Sequence, residues 1–154
     1  YMAEAATWRN SYLTAAQELR NGPPTKGVAK AALMQMLLQT PMERFLEAMA
    51  AGLNGPEAEG KDLKVNLVLT DIKESYVLWI ENSVLHFKRA EPAADANATL
   101  TLTKTIFVKM IAGTAGVKDT LLSDDLKIGG SKIDLVRFFG LIEKAPGTFA
   151  IVTR

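Results

Sequence analysis

From residue 63 to residue 70, Leu63, Val65, Leu67 and Leu69 are separated by Lys64, Asn66, Val68 and Thr70. A period of two puts the leucine and valine set on one face, so the stretch predicts a half-buried β-strand. Tyr76 to Ile80 and Val84 to Lys88 predict two more, joined by a tight connection at Glu81-Asn82-Ser83-Val84, which makes a three-stranded antiparallel meander. Ala98, Leu100 and Leu102 alternate with Thr99, Thr101 and Thr103, a fourth strand with a threonine-lined outer face. Leu126 to Ile128 predicts a short fifth strand.

Elsewhere the apolar spacing lengthens to three and four residues, the helical period. Ala5, Trp8, Tyr12, Ala16 and Leu19 form one stripe over residues 1–20, which Asn21-Gly22-Pro23-Pro24 should end. Val28 to Gln39 is apolar on more than one side, through Leu33, Met34, Met36, Leu37 and Leu38. Thr40-Pro41-Met42-Glu43 reads as a helix start in which the Thr40 hydroxyl caps and Glu43 completes a capping box; Met42, Phe45, Leu46, Met49 and Leu53 share the face behind it. Thr103 should cap a helix carrying Ile106, Phe107, Met110 and Ile111 and stopped by Gly113. Val117 to Leu122 suggests a short helix. Ser131 should cap the last one, with Asp134 as its partner. In that helix Leu135, Phe138, Phe139 and Ile142 make a stripe with Ile133, Val136 and Leu141 beside it, more apolar surface than an ordinary surface helix carries. Phe149 to Val152 reads as a final extended segment.

Composition narrows the chemistry. The 154 residues suit one compact domain with a piece of another, and 48% apolar with 23% charged residues is close to the globular norm. Eighteen basic and 17 acidic residues leave a formal charge of +1, without a Lys/Arg cluster to displace condensed counterions, so nucleic acid is not an expected partner. No apolar run reaches the roughly 20 residues of a membrane span. There is no cysteine and one histidine, His86, so a catalytic zinc, which needs about three protein ligands, is not expected on this chain. The chain begins at Tyr1, and a longer parent polypeptide is expected.

The glycine pair in "IGGSK" invites comparison with a phosphate-binding loop. The serine precedes the lysine, however, and the first glycine of that motif is missing, so a strand-to-helix turn with a serine cap is the better reading. His86 lies mid-strand with no nucleophile partner, and Asp124-Asp125, Glu57 and Glu59 sit in polar stretches; all read as structural or solvated groups. What remains is a surplus of large apolar side chains beside one small sheet. Phe107, Met110, Ile111, Phe138, Phe139 and Ile142 should face sheet residues such as Leu67, Leu69, Leu78, Leu100 and Leu102. They either fill an ordinary core or line an apolar tunnel for an alkyl chain.

The order of helix, meander, strand "ATLTLTK", apolar helix, strand "LKIGG", apolar helix and "FAIVTR" resembles the sterol-carrier-protein-like lipid-transfer fold. Over essentially the whole chain, "TWRNSYLTAAQELRNG", "DIKESYVLWIENSVLHF", "TLTLTKTIFVKMIAG" and "FAIVT" resemble the C-terminal third of zinc-dependent alkyl sulfatases of the metallo-β-lactamase superfamily.

The resemblance implies an α+β fold: a five-stranded mixed sheet covered by helices and preceded by a helical segment. It implies that residues 1–39 are the end of a dimerisation region, with a homodimer as partner state, and that 40–154 are an alkyl-chain-binding domain without catalytic residues. Zinc would belong to a catalytic domain upstream. An alkyl sulfate, fatty acid or other amphiphile would be the ligand, with Phe107, Met110, Ile111, Phe138, Phe139, Ile142, Leu69, Leu78, Leu100 and Leu102 as apolar lining. A bacterial source and a periplasmic or secreted location are compatible with the resemblance; composition assigns no compartment. The alternatives are a structural and dimerisation module with a filled core, in which Trp8, Tyr12 and Leu19 serve a partner chain, and a free-standing lipid carrier.

Overall fold

The computed structural model describes residues 5–22, 30–112 and 126–143, and side chains in the second stretch from residue 34. These residues fall into two compact units, 5–22 with 30–33 and 34–112 with 126–143. In the first unit, α1 (Ala6–Asn21) stops where the Asn-Gly signal stands. Gly22 takes φ +79°, and its N–H donates to the Glu18 carbonyl at 2.8 Å. Trp8, Tyr12 and Leu19 of its stripe are exposed.

The second unit is built on a five-stranded sheet. After α2 (Lys30–Gln39), which enters it from residue 34, come α3 (Met42–Ala51) and the single turn α4 (Gly55–Ala58). The strands β1 (Leu63–Leu69), β2 (Glu74–Glu81), β3 (Val84–Arg89) and β4 (Ala98–Leu102) follow, then α5 (Lys104–Ile111), β5 (Lys127–Gly130) and α6 (Lys132–Gly140). The sheet order is β3-β2-β1-β4-β5, with β1 antiparallel to β2 and parallel to β4. The β2–β3 turn holds Asn82 and Ser83 at φ 51° and 60°, the left-handed pair that a two-residue hairpin needs. The predicted alternation holds across the register: Val65, Leu67 and Leu69 lie level with Leu78, Tyr76, Leu100 and Leu102, and all are buried.

Local chemistry starts the helices. The Thr103 hydroxyl accepts from the Ile106 N–H at 3.3 Å, and the Asp71 carboxylate accepts from the Lys104 N–H, so two side chains cap α5. The Ser131 hydroxyl accepts from the Asp134 N–H at 3.2 Å at the head of α6. The expected Thr40 cap is absent: its hydroxyl donates to the Met36 carbonyl at 2.8 Å and completes the last turn of α2, leaving Pro41 to open α3. Threonine before proline is held out of the helical region, and its hydroxyl finds an acceptor in the turn behind it, the Met36 carbonyl that also takes the Thr40 N–H. The expected helix at Val117 to Leu122, the stop at Gly113, the acidic pair Asp124-Asp125 and the segment Phe149 to Val152 lie outside the described residues.

The glycine pair has a steric explanation. Gly130 has φ +76°, and a Cβ there would stand 2.5 Å from the Asn97 carbonyl oxygen, which accepts the Ser131 N–H at 2.8 Å. Asn97 also exchanges two 2.8 Å hydrogen bonds with the Lys64 backbone, so one residue ties the starts of β1 and β4 to the end of β5. Gly130→Ala should therefore lower stability by about 2 kcal/mol or more, combining the left-handed penalty with backbone displacement. Gly140→Ala, at an open position in α6, should be neutral or stabilising by up to about 1 kcal/mol. Urea unfolding of both variants checks the contrast.

Candidate functional site

The apolar face of the sheet and the helices over it bring together all ten residues expected to line a tail site. Leu69, Leu78, Leu100 and Leu102 form the floor and are fully buried. Above them, Phe107 of α5 and Phe138 of α6 are also fully buried. The rings form a chain: Phe45 to Phe107 at 5.8 Å, Phe107 to Phe139 at 6.0 Å and Phe139 to Phe138 at 5.3 Å, all edge-on. Edge-to-face packing of this kind adds about 0.5–1.5 kcal/mol per pair beyond area burial. Met110, Ile111, Phe139 and Ile142 are half-buried and pack against the same cluster from its margin.

Backbone ties hold this roof in place. The Asn54 N–H donates to the Leu141 carbonyl and the Glu143 N–H to the Gly52 carbonyl, both at 2.8 Å, flanking a bridge between Leu53 and Ile142. The ends of α3 and α6 are thereby stitched together, while the Lys104 ammonium donates to the Thr40 carbonyl at 2.7 Å and ties α5 to the α2–α3 junction. The extra apolar surface noted on α6 divides in two. Leu135, Phe138 and Leu141 turn inward, whereas Ile133 and Val136 are 66% and 72% exposed.

Sequence reasoning missed several margin residues: Met34, Leu37 and Leu38 of α2, with Ile106 and Leu53, also pack on the cluster. Spacing places Leu53 and Ile106 on apolar faces without marking them as lining; for α2, apolar on more than one side, it does not say which side packs. It also missed a groove of about 560 Å³ on the opposite face of the sheet, which none of the ten residues lines. His86 belongs to that face and stacks on Trp79. The donor set does not fit a catalytic zinc: one histidine, no cysteine, and among the described residues no group of three or more His, Cys, Asp and Glu side chains placed to share a metal ion. No helix among the described residues is long and apolar enough to cross a membrane.

At the strand ends the apolar face closes with polar contacts. The Tyr76 hydroxyl donates to Glu74 at 2.8 Å, and Glu74 pairs with Arg89 at 3.2 Å. Burial first, then the hydrogen bond and negative charge of Glu74, push the Tyr76 phenol well above its ordinary value. A phenol whose folded pKa is raised contributes stability fully below the unfolded value near 10, and loses it as pH rises toward the folded value. Above about pH 10 this group should therefore make the protein progressively less stable as pH rises. Tyr76→Phe should flatten that alkaline limb in thermal melts across pH 9 to 11.

Comparison with known proteins agrees with the fold. Residues 30–154 match the family model described as alkyl sulfatase C-terminal. A linear primary-alkylsulfatase of Pseudomonas sp. is 35% identical over 99% of this chain and 23% of its own length. The solved structure of a stereoselective inverting sec-alkylsulfatase from Pseudomonas sp. superposes with a TM-score of 0.79 at 30% identity, over 98% of this chain and 24% of that one. Sterol carrier protein 2 from Yarrowia lipolytica aligns more loosely, with a TM-score of 0.47 and 19% identity over 63% of this chain and 85% of its own. The chain spans about a quarter of the length of the alkylsulfatases it matches. A family match running through both the sheet and its roof of helices makes this chain a member of the alkyl sulfatase C-terminal family.

Proposed function

We propose that residues 40–154 bind the hydrocarbon tail of an amphiphile, an alkyl sulfate or fatty acid, as the non-catalytic part of an alkyl sulfatase. The observation that carries this reading is the half-buried margin. Met110, Ile111, Phe139 and Ile142 pack on a sealed core yet keep apolar surface accessible. Met and Phe side chains at such a margin can swing aside and re-form contacts around an alkyl chain. Ten methylenes transferred from water contribute roughly 8 kcal/mol before association entropy is subtracted. The charged head stays outside, because burying it unpaired would cost more than the tail gains. Hydrolysis belongs to a metal-binding domain elsewhere in the parent enzyme.

A fluorescent fatty acid titrated into the chain should bind saturably at one site and be displaced by sub-micellar dodecyl sulfate. Met110→Asp and Phe139→Asp, both at the margin, should weaken uptake at least about tenfold while the far-ultraviolet circular dichroism is kept. A folded domain that takes up no fatty acid overturns the reading.

A second reading, for residues 1–39, rests on α1. Trp8 and Tyr12 are 66% and 65% exposed one helical turn apart, with Leu19 further along the stripe. Such a stripe suits the end of a dimerisation region that meets a second copy. Sedimentation of the whole chain should show concentration-dependent dimers, and the double variant Trp8→Ala, Tyr12→Ala should remain monomeric at the same concentrations.

A further inference from the structure

Helix α6 carries more apolar surface than the fold uses. Leu135, Phe138 and Leu141 turn into the core, whereas Ile133 and Val136 are exposed and neither belongs to the core cluster nor packs against it. These two stand three residues apart and therefore adjoin on the helix surface. Gly140, one turn beyond Val136, extends the same stripe, and a Cβ placed there would meet open space. The outward face is thus apolar and unobstructed over two turns, and folding does not account for it. It also meets the proposed tail site: Phe139, one of the half-buried margin residues, lies three positions from Val136 on the same helix.

Charge decides what can cover this face. At about 100° of rotation per residue, Lys132 falls beside Val136 and Arg137 beside Ile133, one on each flank of the stripe. Both are exposed. The one carboxylate of the helix, Asp134, lies past Arg137 toward the core, half-buried, with an oxygen 3.4 Å from the guanidinium. The outward face is therefore apolar along its middle and basic at both edges. A second copy presenting the same face about a twofold axis would bring only cations to meet Lys132 and Arg137. An anionic lipid surface suits every part of it, with hydrocarbon below the headgroups for Ile133 and Val136 and phosphates for the two basic side chains. A helix of nine residues lies on such a surface and does not cross it.

We propose that α6 docks in the plane of an anionic bilayer surface, with Ile133 and Val136 inserted at the headgroup boundary and Lys132 and Arg137 on the phosphates, so that an amphiphile passes from the surface to the Phe139 margin. The docking stands on the exposed face alone; the transfer of the amphiphile rests on the tail-binding reading. The whole chain should co-float with vesicles of two parts phosphatidylcholine to one part phosphatidylglycerol, and not with phosphatidylcholine alone. Raising the salt from about 0.05 M to about 0.5 M should release most of it. The double variants Ile133→Ser, Val136→Ser and Lys132→Gln, Arg137→Gln, all at exposed positions, should each weaken flotation about tenfold with unchanged circular dichroism. Trp8→Ala, Tyr12→Ala should float like the parent chain, which separates α6 from the exposed stripe of α1. Uptake of the fluorescent fatty acid from solution should be equal in the serine variant and the parent, so loss of docking and loss of tail binding are read separately. No flotation with the anionic vesicles overturns the proposal, as does a serine variant that floats as well as the parent. A serine variant that loses a dimer and keeps its vesicle binding assigns the face to a second copy instead.

Discussion

The structure depends on one constraint: a small mixed sheet has a face that is apolar except where Glu74 and Arg89 close one end, and that face must be covered. Val65, Leu67 and Leu69 of the central β1 meet Leu78 and Tyr76 on one side and Leu100 and Leu102 on the other, leaving no polar position among them. Exposing that surface would forfeit several kcal/mol per pair of large side chains. Helices α3, α5 and α6 are amphipathic because they supply the cover, and the Phe45–Phe107–Phe139–Phe138 chain is where their faces converge.

Topology accounts for the other face. Parallel neighbours are usually joined by a helix, but here β1 and β4 are linked by the β2–β3 hairpin and the 90–97 loop. The chain leaves β3 at the sheet edge and must return past β2 and β1 before β4 can form. Its hydrogen bonds to Asn66 place that return on the polar face, where the backbone polar groups of the loop are satisfied without breaking into the core. The groove beside Trp79 follows from that route.

The same cover sets the terms for a tail site. Six of the ten expected lining residues are sealed into the core, so an alkyl chain would have to work from the half-buried margin inward. The stitching of α3 to α6 keeps one end of the roof fixed, and adaptation then falls on side chains such as Met110 and Phe139. The chain belongs to the alkyl sulfatase C-terminal family, and its single histidine is committed to a ring stack on the far face of the sheet.

Alternation and helical spacing made the strands, the hairpin turn, the Thr103 and Ser131 caps and the inward residues legible, because each is decided within a few residues of chain. The glycine pair was legible as a turn; that Gly130 must be glycine was not, since the obstructing Asn97 carbonyl lies thirty-three positions earlier in sequence. The Thr40 cap failed because an acceptor in the preceding turn won the hydroxyl. Which apolar residues are sealed and which stay at the margin was invisible for the same reason: spacing assigns a side chain to a face, but only the packed neighbour determines how much of it water still reaches. Local periodicity therefore set the elements and the identity of the two sheet faces. Tertiary contact alone decided the depth of each side chain, the path of the 90–97 loop and the groove it encloses.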